Sequence, residues 1–220
     1  MSSGQQRTLL TAQSPDVQYG QLAVADGVVY FEQSTSAQQS LFALDTDGGI
    51  PREIAPSGHT PVTAQGFLLW TESRSSGTGF DVRTIHRLVL HTLDGSRPDI
   101  QVAQIEDQNG FSRYDVTKNS VIWAGSASPI SVYDMRTGAI TTVGSNTFRP
   151  IIQSQRVLWA SPTQSGQWSL NSQDLTTGAT ATIISEDGLS WNFVGVQTDT
   201  IAYTRITTQG TENIYLKRLP

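Results

Sequence analysis

One short pattern recurs five times along this chain of 220 residues, and it constrains the fold more than any compositional figure. The copies read Gly27-Val28-Val29-Tyr30-Phe31, Gly66-Phe67-Leu68-Leu69-Trp70, Ser120-Val121-Ile122-Trp123-Ala124, Arg156-Val157-Leu158-Trp159-Ala160 and Thr200-Ile201-Ala202-Tyr203-Thr204. Their aromatic anchors are Tyr30, Trp70, Trp123, Trp159 and Tyr203, at successive spacings of 40, 53, 36 and 44 residues. No segment sustains a 3.6-residue apolar period. Short β-branched and aromatic runs are instead cut by Gly, Asp, Asn and Pro, the strand-and-turn signature of an all-β chain.

A second element follows four of the cores. Leu41-Phe42-Ala43-Leu44-Asp45, Leu90-His91-Thr92-Leu93-Asp94, Ser131-Val132-Tyr133-Asp134 and Leu170-Asn171-Ser172-Gln173-Asp174 each end a strand on Asp, with Gly48, Gly95, Gly138 and Gly178 soon after. Asp caps its own turn and Gly supplies a left-handed position. A strand precedes each core (Leu22–Val24, Pro61–Thr63, Tyr114–Val116, Ile151–Gln153 and Phe193–Gly195), and a fourth follows, as in Ala139–Val143 and Ala181–Ile184. Repeats of roughly 40 to 50 residues with four strands each are the unit of a β-propeller. The expectation is one all-β domain over 1–220, a five-bladed β-propeller of four-stranded antiparallel blades, with blades at about 18–58, 59–108, 109–146, 147–188 and 189–220.

The fifth repeat stops at Arg218-Leu219-Pro220, one strand short, and the chain begins with an orphan strand over residues 4–12. Arg218-Leu219-Pro220 followed by Ser2 to Leu10 tracks Asp174 to Ile184. The N-terminal strand is therefore expected to complete the last blade and close the ring, which removes the open edges of the array, the alternative being a fragment of a larger propeller cut mid-blade.

The fourth repeat, from Pro150-Ile151-Ile152-Gln153 through Val157-Leu158-Trp159 to Asp174-Leu175-Thr176-Thr177-Gly178, resembles the repeats of TolB-type propellers and of bacterial and archaeal surface proteins. Ile130-Ser131-Val132-Tyr133-Asp134-Met135-Arg136-Thr137-Gly138 fits the same pattern. The resemblance covers all five repeats and is strong in the third and fourth. It implies a non-catalytic module that binds other proteins, in an extracytoplasmic or cell-surface setting. Its motif is structural and carries over no functional residue.

Charged residues are only 15%, the net charge is −5, and no Lys/Arg run is present, so the footprint of a nucleic-acid binder is missing. There is no cysteine, which excludes disulfides, thiol nucleophiles and thiolate metal sites. No apolar run approaches the roughly 18 residues of a membrane-spanning helix. Three histidines, scattered at 59, 86 and 91, make no zinc pattern. The expectation is a monomer without metal or cofactor, whose partner is a protein, a glycan or an anionic small molecule.

The recurring aromatics read as inter-blade core and the recurring aspartates as turn caps. Functional residues should instead break the repeat, near the face where the innermost strands begin. Aligning the repeats puts Tyr19, His59 and Trp191 at entry positions, with Arg113 and Arg149 beside them and Glu32, Glu72 and Arg205 at the ends of the second strands. Guanidinium groups recognise carboxylates through two parallel hydrogen bonds, so an anionic ligand or an acidic loop fits this mouth, against the plainer reading of inter-blade ion pairs. A lectin is the alternative, since five-bladed propellers of this size can hold sugars between blades. The loops diverge between repeats, which disfavours a site in every blade. A furanosidase-like glycoside hydrolase needs a pair of carboxylates, and the inner strands offer Asp115 and little else. The second repeat carries an insertion, Ser73 to Arg87, with Ser75-Ser76-Gly77-Thr78-Gly79 and the pair His86-Arg87, readable as a functional loop or as a longer hairpin.

Overall fold

The computed structural model describes residues 6–76, 83–106, 109–125, 129–144, 148–163, 168–185, 189–197, 200–206 and 212–219. Within its strands, the side chains at 76, 148, 149, 189–197, 205, 206 and 212 lie outside the described set. The described residues form strands and turns only, gathered into five antiparallel meanders.

The chain divides into two compact units, Met1–Gln108 and Asn109–Pro220. The first holds two four-stranded sheets. One is β1 (Gln18–Ala25), β2 (Val28–Ser34), β3 (Gln39–Asp45) and β4 (Arg52–Ala55). The other is β5 (Gly58–Ala64), β6 (Phe67–Ser76), β7 (Arg83–Thr92) and β8 (Ile100–Glu106). The innermost strand of each turns into the next through a two-residue connection, Asp26-Gly27 and Gln65-Gly66, with φ of 50° and 76°, and of 44° and 88°. Both residues left-handed is the turn whose twist matches a hairpin.

Between these sheets lies a core of Tyr30, Leu41, Ala43, Ala55, Leu68, Trp70 and Val89. Trp70 is 1% exposed. Gly58 lets the sheets approach: a Cβ there would stand 2.8 Å from Ala55 Cβ, 2.9 Å from Leu41 Cβ and 3.1 Å from Trp70 Cδ1.

The second unit holds β9 (Arg113–Val116), β10 (Ser120–Ala124), β11 (Ile130–Asp134) and β12 (Ile140–Val143), then β13 (Phe148–Gln153), β14 (Arg156–Pro162), β15 (Trp168–Asp174) and β16 (Thr180–Ser185). A three-stranded sheet follows: β17 (Leu189–Gln197), β18 (Thr200–Ile206) and β19 (Glu212–Arg218). Ile122, Ile130, Val132, Val157 and Trp159 pack between its first and second sheets. Leu158, Leu170, Ile184, Ile201 and Tyr203 pack between its second and third. All five anchor aromatics are thus buried, at 8% exposure or less.

The Asp turns behave as capping requires. Asp134 Oδ1 accepts the backbone N–H groups of Arg136 and Thr137 at 2.8 and 2.9 Å, and Asp174 Oδ1 does the same for Thr176 and Thr177. Asp94 Oδ1 accepts from Ser96 N–H at 2.9 Å. Asp45, Asp134 and Asp174 each take the N–H of the following turn glycine on the backbone carbonyl at 2.8 Å, and among the described residues Asp45 shows this bond without a side-chain cap.

The structure decides between the two readings of the insertion and does not show the closing strand. The insertion of the second repeat is a hairpin extension, because β6 and β7 stay paired residue by residue up to Ser76 and Arg83. Positions 77–82 fall outside the described residues. The expected closing strand is not seen at its place: residues 6–12 lie in no strand, 4 and 5 are outside the described set, and the last sheet has three strands. Within that segment the Arg7 guanidinium donates to the Thr46 carbonyl, in the first unit.

Candidate functional site

The innermost strands share a deformation that aims their entry residues. β1 slips register between Tyr19 and Leu22, β5 between His59 and Val62, β13 between Phe148 and Ile151. A bulge bends the strand and redirects the side chains beside it. At β5 it brings Thr60 to φ 56° and turns its N–H onto Glu32 Oε2 of the neighbouring sheet, at 3.3 Å.

Glu32 is heavily engaged. It also accepts from the Gln39 side-chain amide and from Ser34 Oγ. Its carboxylate lies over Gly20, where a Cβ would stand 2.8 Å from Oε1. Glu32 thus ties two blades together through a backbone N–H, not through the ion pair of the plainer reading. Tyr19 is not its neighbour. Its ring stands edge-on to Phe31 at 5.6 Å, on the other face of the sheet, and is 39% exposed.

His59 and Glu72 are also separated by a sheet. His59 lies with Thr71 and Ser73 on one face of β5–β7, and Glu72 lies with Trp70 on the other. On the His59 face a polar chain crosses three strands. His59 Nδ1 is 3.0 Å from Thr71 Oγ1 and 3.1 Å from Thr60 Oγ1. His59 Nε2 is 2.9 Å from Ser73 Oγ, which is 2.8 Å from His86 Nδ1. One hydroxyl proton serves Ser73, so it donates to one imidazole and accepts from the other. Burial pushes the His59 imidazole below its usual value, opposed by the Glu32 charge and aided by His86. A serine hydroxyl against imidazole is the pairing from which nucleophiles are built, yet here the His59 ring is held by threonine hydroxyls, as in a structural polar ladder.

The opposite face carries a row across all four strands: Gly58, Glu72, Arg87 and Gln104 are mutual register partners. Glu72 Oε1 accepts from Trp70 Nε1 at 3.4 Å. Arg87 Nε is sealed from water without a hydrogen-bond partner, and so is His86 Nε2.

In the second unit Arg113 opens β9, opposite Ala124, and is exposed. Asp115, two residues on, accepts Val116 N–H on Oδ1 at 2.9 Å and Ile152 N–H on Oδ2 at 3.2 Å. Burial raises its carboxyl above the usual range, offset by those two bonds and by Arg113. Both oxygens of the acid singled out for hydrolysis are thus held by backbone. Arg149, Trp191 and Arg205 sit on β13, β17 and β18, with side chains outside the described set.

Sequence alignment of the blades missed Ser73, His86 and Arg87 as site members. Their signal lay in the alternation of the insertion, which continues as paired strand, so that residues 13 and 15 apart meet across a hairpin.

No family model matches the chain, and no curated protein does either. Solved structures do. The β-propeller domain of the Trilobed protease from Pyrococcus furiosus matches with TM-score 0.67 at 7% identity, over 94% of this chain and 70% of that one. A prolyl endopeptidase matches with TM-score 0.69 at 18% identity, over 99% of this chain and 37% of that one. A chain of a nidogen/laminin complex matches with TM-score 0.53 at 14% identity, over 93% of this chain and 77% of that one. The chain therefore spans little more than a third of the endopeptidase. Likeness at such identities establishes the β-propeller fold and leaves the TolB-type family unassigned.

Proposed function

We propose that this chain is a non-catalytic β-propeller binding module that takes a protein or an anionic ligand at the face where its innermost strands begin. The observation that carries this reading is Arg113, an exposed guanidinium at the entry of β9 with no hydrogen bond or ion pair among the described residues. Arg149 follows Phe148 near the start of the next innermost strand, within its register slip. The absence of catalysis is supported by Asp115, whose two oxygens are engaged by backbone N–H groups. The module is of the TolB-type and surface-protein kind, working outside the cytoplasm as a monomer.

The same proposal includes a closed ring, in which residues 4–12 add to β19 as its fourth strand. Two apolar faces support it. β1 exposes Leu22 and Val24 at 65% and 55%, and β19 exposes Ile214 and Leu216 at 69% and 74%. Side chains of this size gain about 1.5–3 kcal/mol each on burial, and a closed ring has a blade to place on each face.

The binding reading is tested by thermal shift against acidic peptides, uronic and sialic acids, dicarboxylates and neutral sugars, repeated on Arg113→Ala/Arg149→Ala. Saturable stabilisation by one acidic class, lost in the double variant, is the expected result. Stabilisation by neutral sugars that survives the double variant would replace this reading with the lectin.

A further inference from the structure

Two buried polar atoms without partners, His86 Nε2 and Arg87 Nε, fall in one dipeptide of β7. Buried polar groups in folded proteins are nearly always hydrogen-bonded, so each exception asks for a reason. For Arg87 the exception is sharper because the group is a permanent cation. Its register partner on β6 is Glu72, on the same face and directly opposite. Oppositely charged cross-strand partners normally pair. Here they do not: Glu72 turns to the Trp70 indole N–H, and Arg87 has no ion pair or hydrogen bond among the described residues.

The surroundings of Arg87 suit an anion. The next strand places Gln104, exposed and also in register, beside it. Gln104 brings an amide donor next to the guanidinium fork. On the other side of Glu72 the row ends at Gly58, which has no side chain and packs on Leu41, Ala55 and Trp70. Two residues along the same face, the next register pair is Trp70 and Val89, part of the core shared with the first sheet. A half-buried cation beside an apolar core is poorly hydrated; its Nε is closed to solvent, so the anion that relieves it is one that accepts two parallel N–H bonds from the two outer nitrogens of the guanidinium.

We propose that Arg87, with Gln104, is a carboxylate-binding site at the rim between the first two blades, and that Glu72 is the neighbour that tunes it. This deepens the binding-module reading in ligand class but moves the site to the extended hairpin of the second blade. The two are separable. A response lost in Arg113→Ala/Arg149→Ala but kept in Arg87→Gln would overturn this site and leave the module reading standing.

The experiment titrates the full chain with succinate, with its neutral isostere succinamide at matched ionic strength, and with a terminally blocked peptide carrying one Asp. Binding is read by calorimetry and by tryptophan fluorescence, since Trp70 donates to Glu72 and lies beside the site on the same face. A saturable response to succinate or to the Asp peptide, absent with succinamide, is expected; which of the two binds more tightly tells a free acid from a partner's side chain. Arg87→Gln should weaken it at least tenfold and leave the unfolding midpoint equal or higher, because the native cation has no partner to lose. Arg87→Lys keeps the charge without the fork and should fall between the two. Glu72→Gln should tighten binding by removing a repelling charge. The proposal is overturned if Arg87→Gln binds as the native chain does, if succinamide binds as succinate does, or if Arg87→Gln lowers the midpoint, which would make Arg87 a structural residue.

Discussion

Oδ2 of Asp115 on β9 accepts the backbone N–H of Ile152 on β13 at 3.2 Å, so one blade holds the next through a side chain and a main-chain donor. The first unit repeats the device with Glu32 Oε2 and the Thr60 N–H at 3.3 Å. In both cases the acceptor is a carboxylate on an inner strand and the donor belongs to the innermost strand of the following blade. Such charge-assisted bonds are stronger than neutral ones; the Thr60 bond lies within the register slip between His59 and Val62, whereas Ile152 is in register with Val157, just past the slip between Phe148 and Ile151.

Substituting Asp115→Asn should cost about 1–3 kcal/mol, since the amide faces one of its two N–H donors with another donor. Urea unfolding would measure it. The variant should also lose one component of the pH dependence. Burial raises the Asp115 carboxyl in the folded state. A raised acid contributes stability that is fully present below its unfolded value of about 3.9 and is lost as pH rises through the folded value. That decline should be absent in Asp115→Asn. An unchanged urea midpoint would mean the two N–H groups are as well served by solvent.

His59 gives the opposite slope. Burial lowers its imidazole in the folded state, so the unfolded chain takes up the proton first. Its contribution is fully present above the unfolded value of about 6.5 and is lost as pH falls below it toward the folded value. Thermal unfolding between pH 7.5 and 5 should show a midpoint that drops with pH in the native chain and drops less in His59→Gln, whose amide can still meet Ser73 and Thr71. Parallel curves would show that another group drives the decline.

How much of this was readable beforehand divides along a physical line. The anchor aromatics and the Asp turns obey local rules, so Trp70 was placed in the core and Asp134 and Asp174 at their caps from spacing alone. The site did not follow from the same alignment. Matching blades by their aromatics sets Tyr19, Glu32, His59 and Glu72 at one height, but height is not face. The bulges after Tyr19 and His59 reset the two-residue alternation, which leaves Tyr19 on Phe31 and turns His59 away from Glu72. Arg87 was named only as part of the pair His86-Arg87 in the insertion: an unsatisfied cation is a property of what does not surround it, and only the register of β6, β7 and β8 reveals that.

Deleting residues 1–13 distinguishes a closed ring from an N-terminal segment that merely rests on the first blade. The contact seen for that segment is the Arg7 bond to the Thr46 carbonyl, which is exposed and worth about 0.5–1.5 kcal/mol at most. Addition of residues 4–12 to β19 would bury Leu9 and Leu10 as well, at about 1.5–3 kcal/mol each, and would cover a strand edge that otherwise invites association. The truncated chain should therefore lose more than about 3 kcal/mol in urea unfolding and self-associate in sedimentation. A loss near 1 kcal/mol in a chain that stays monomeric would rule out closure by this strand and leave the outward faces of β1 and β19 to other partners.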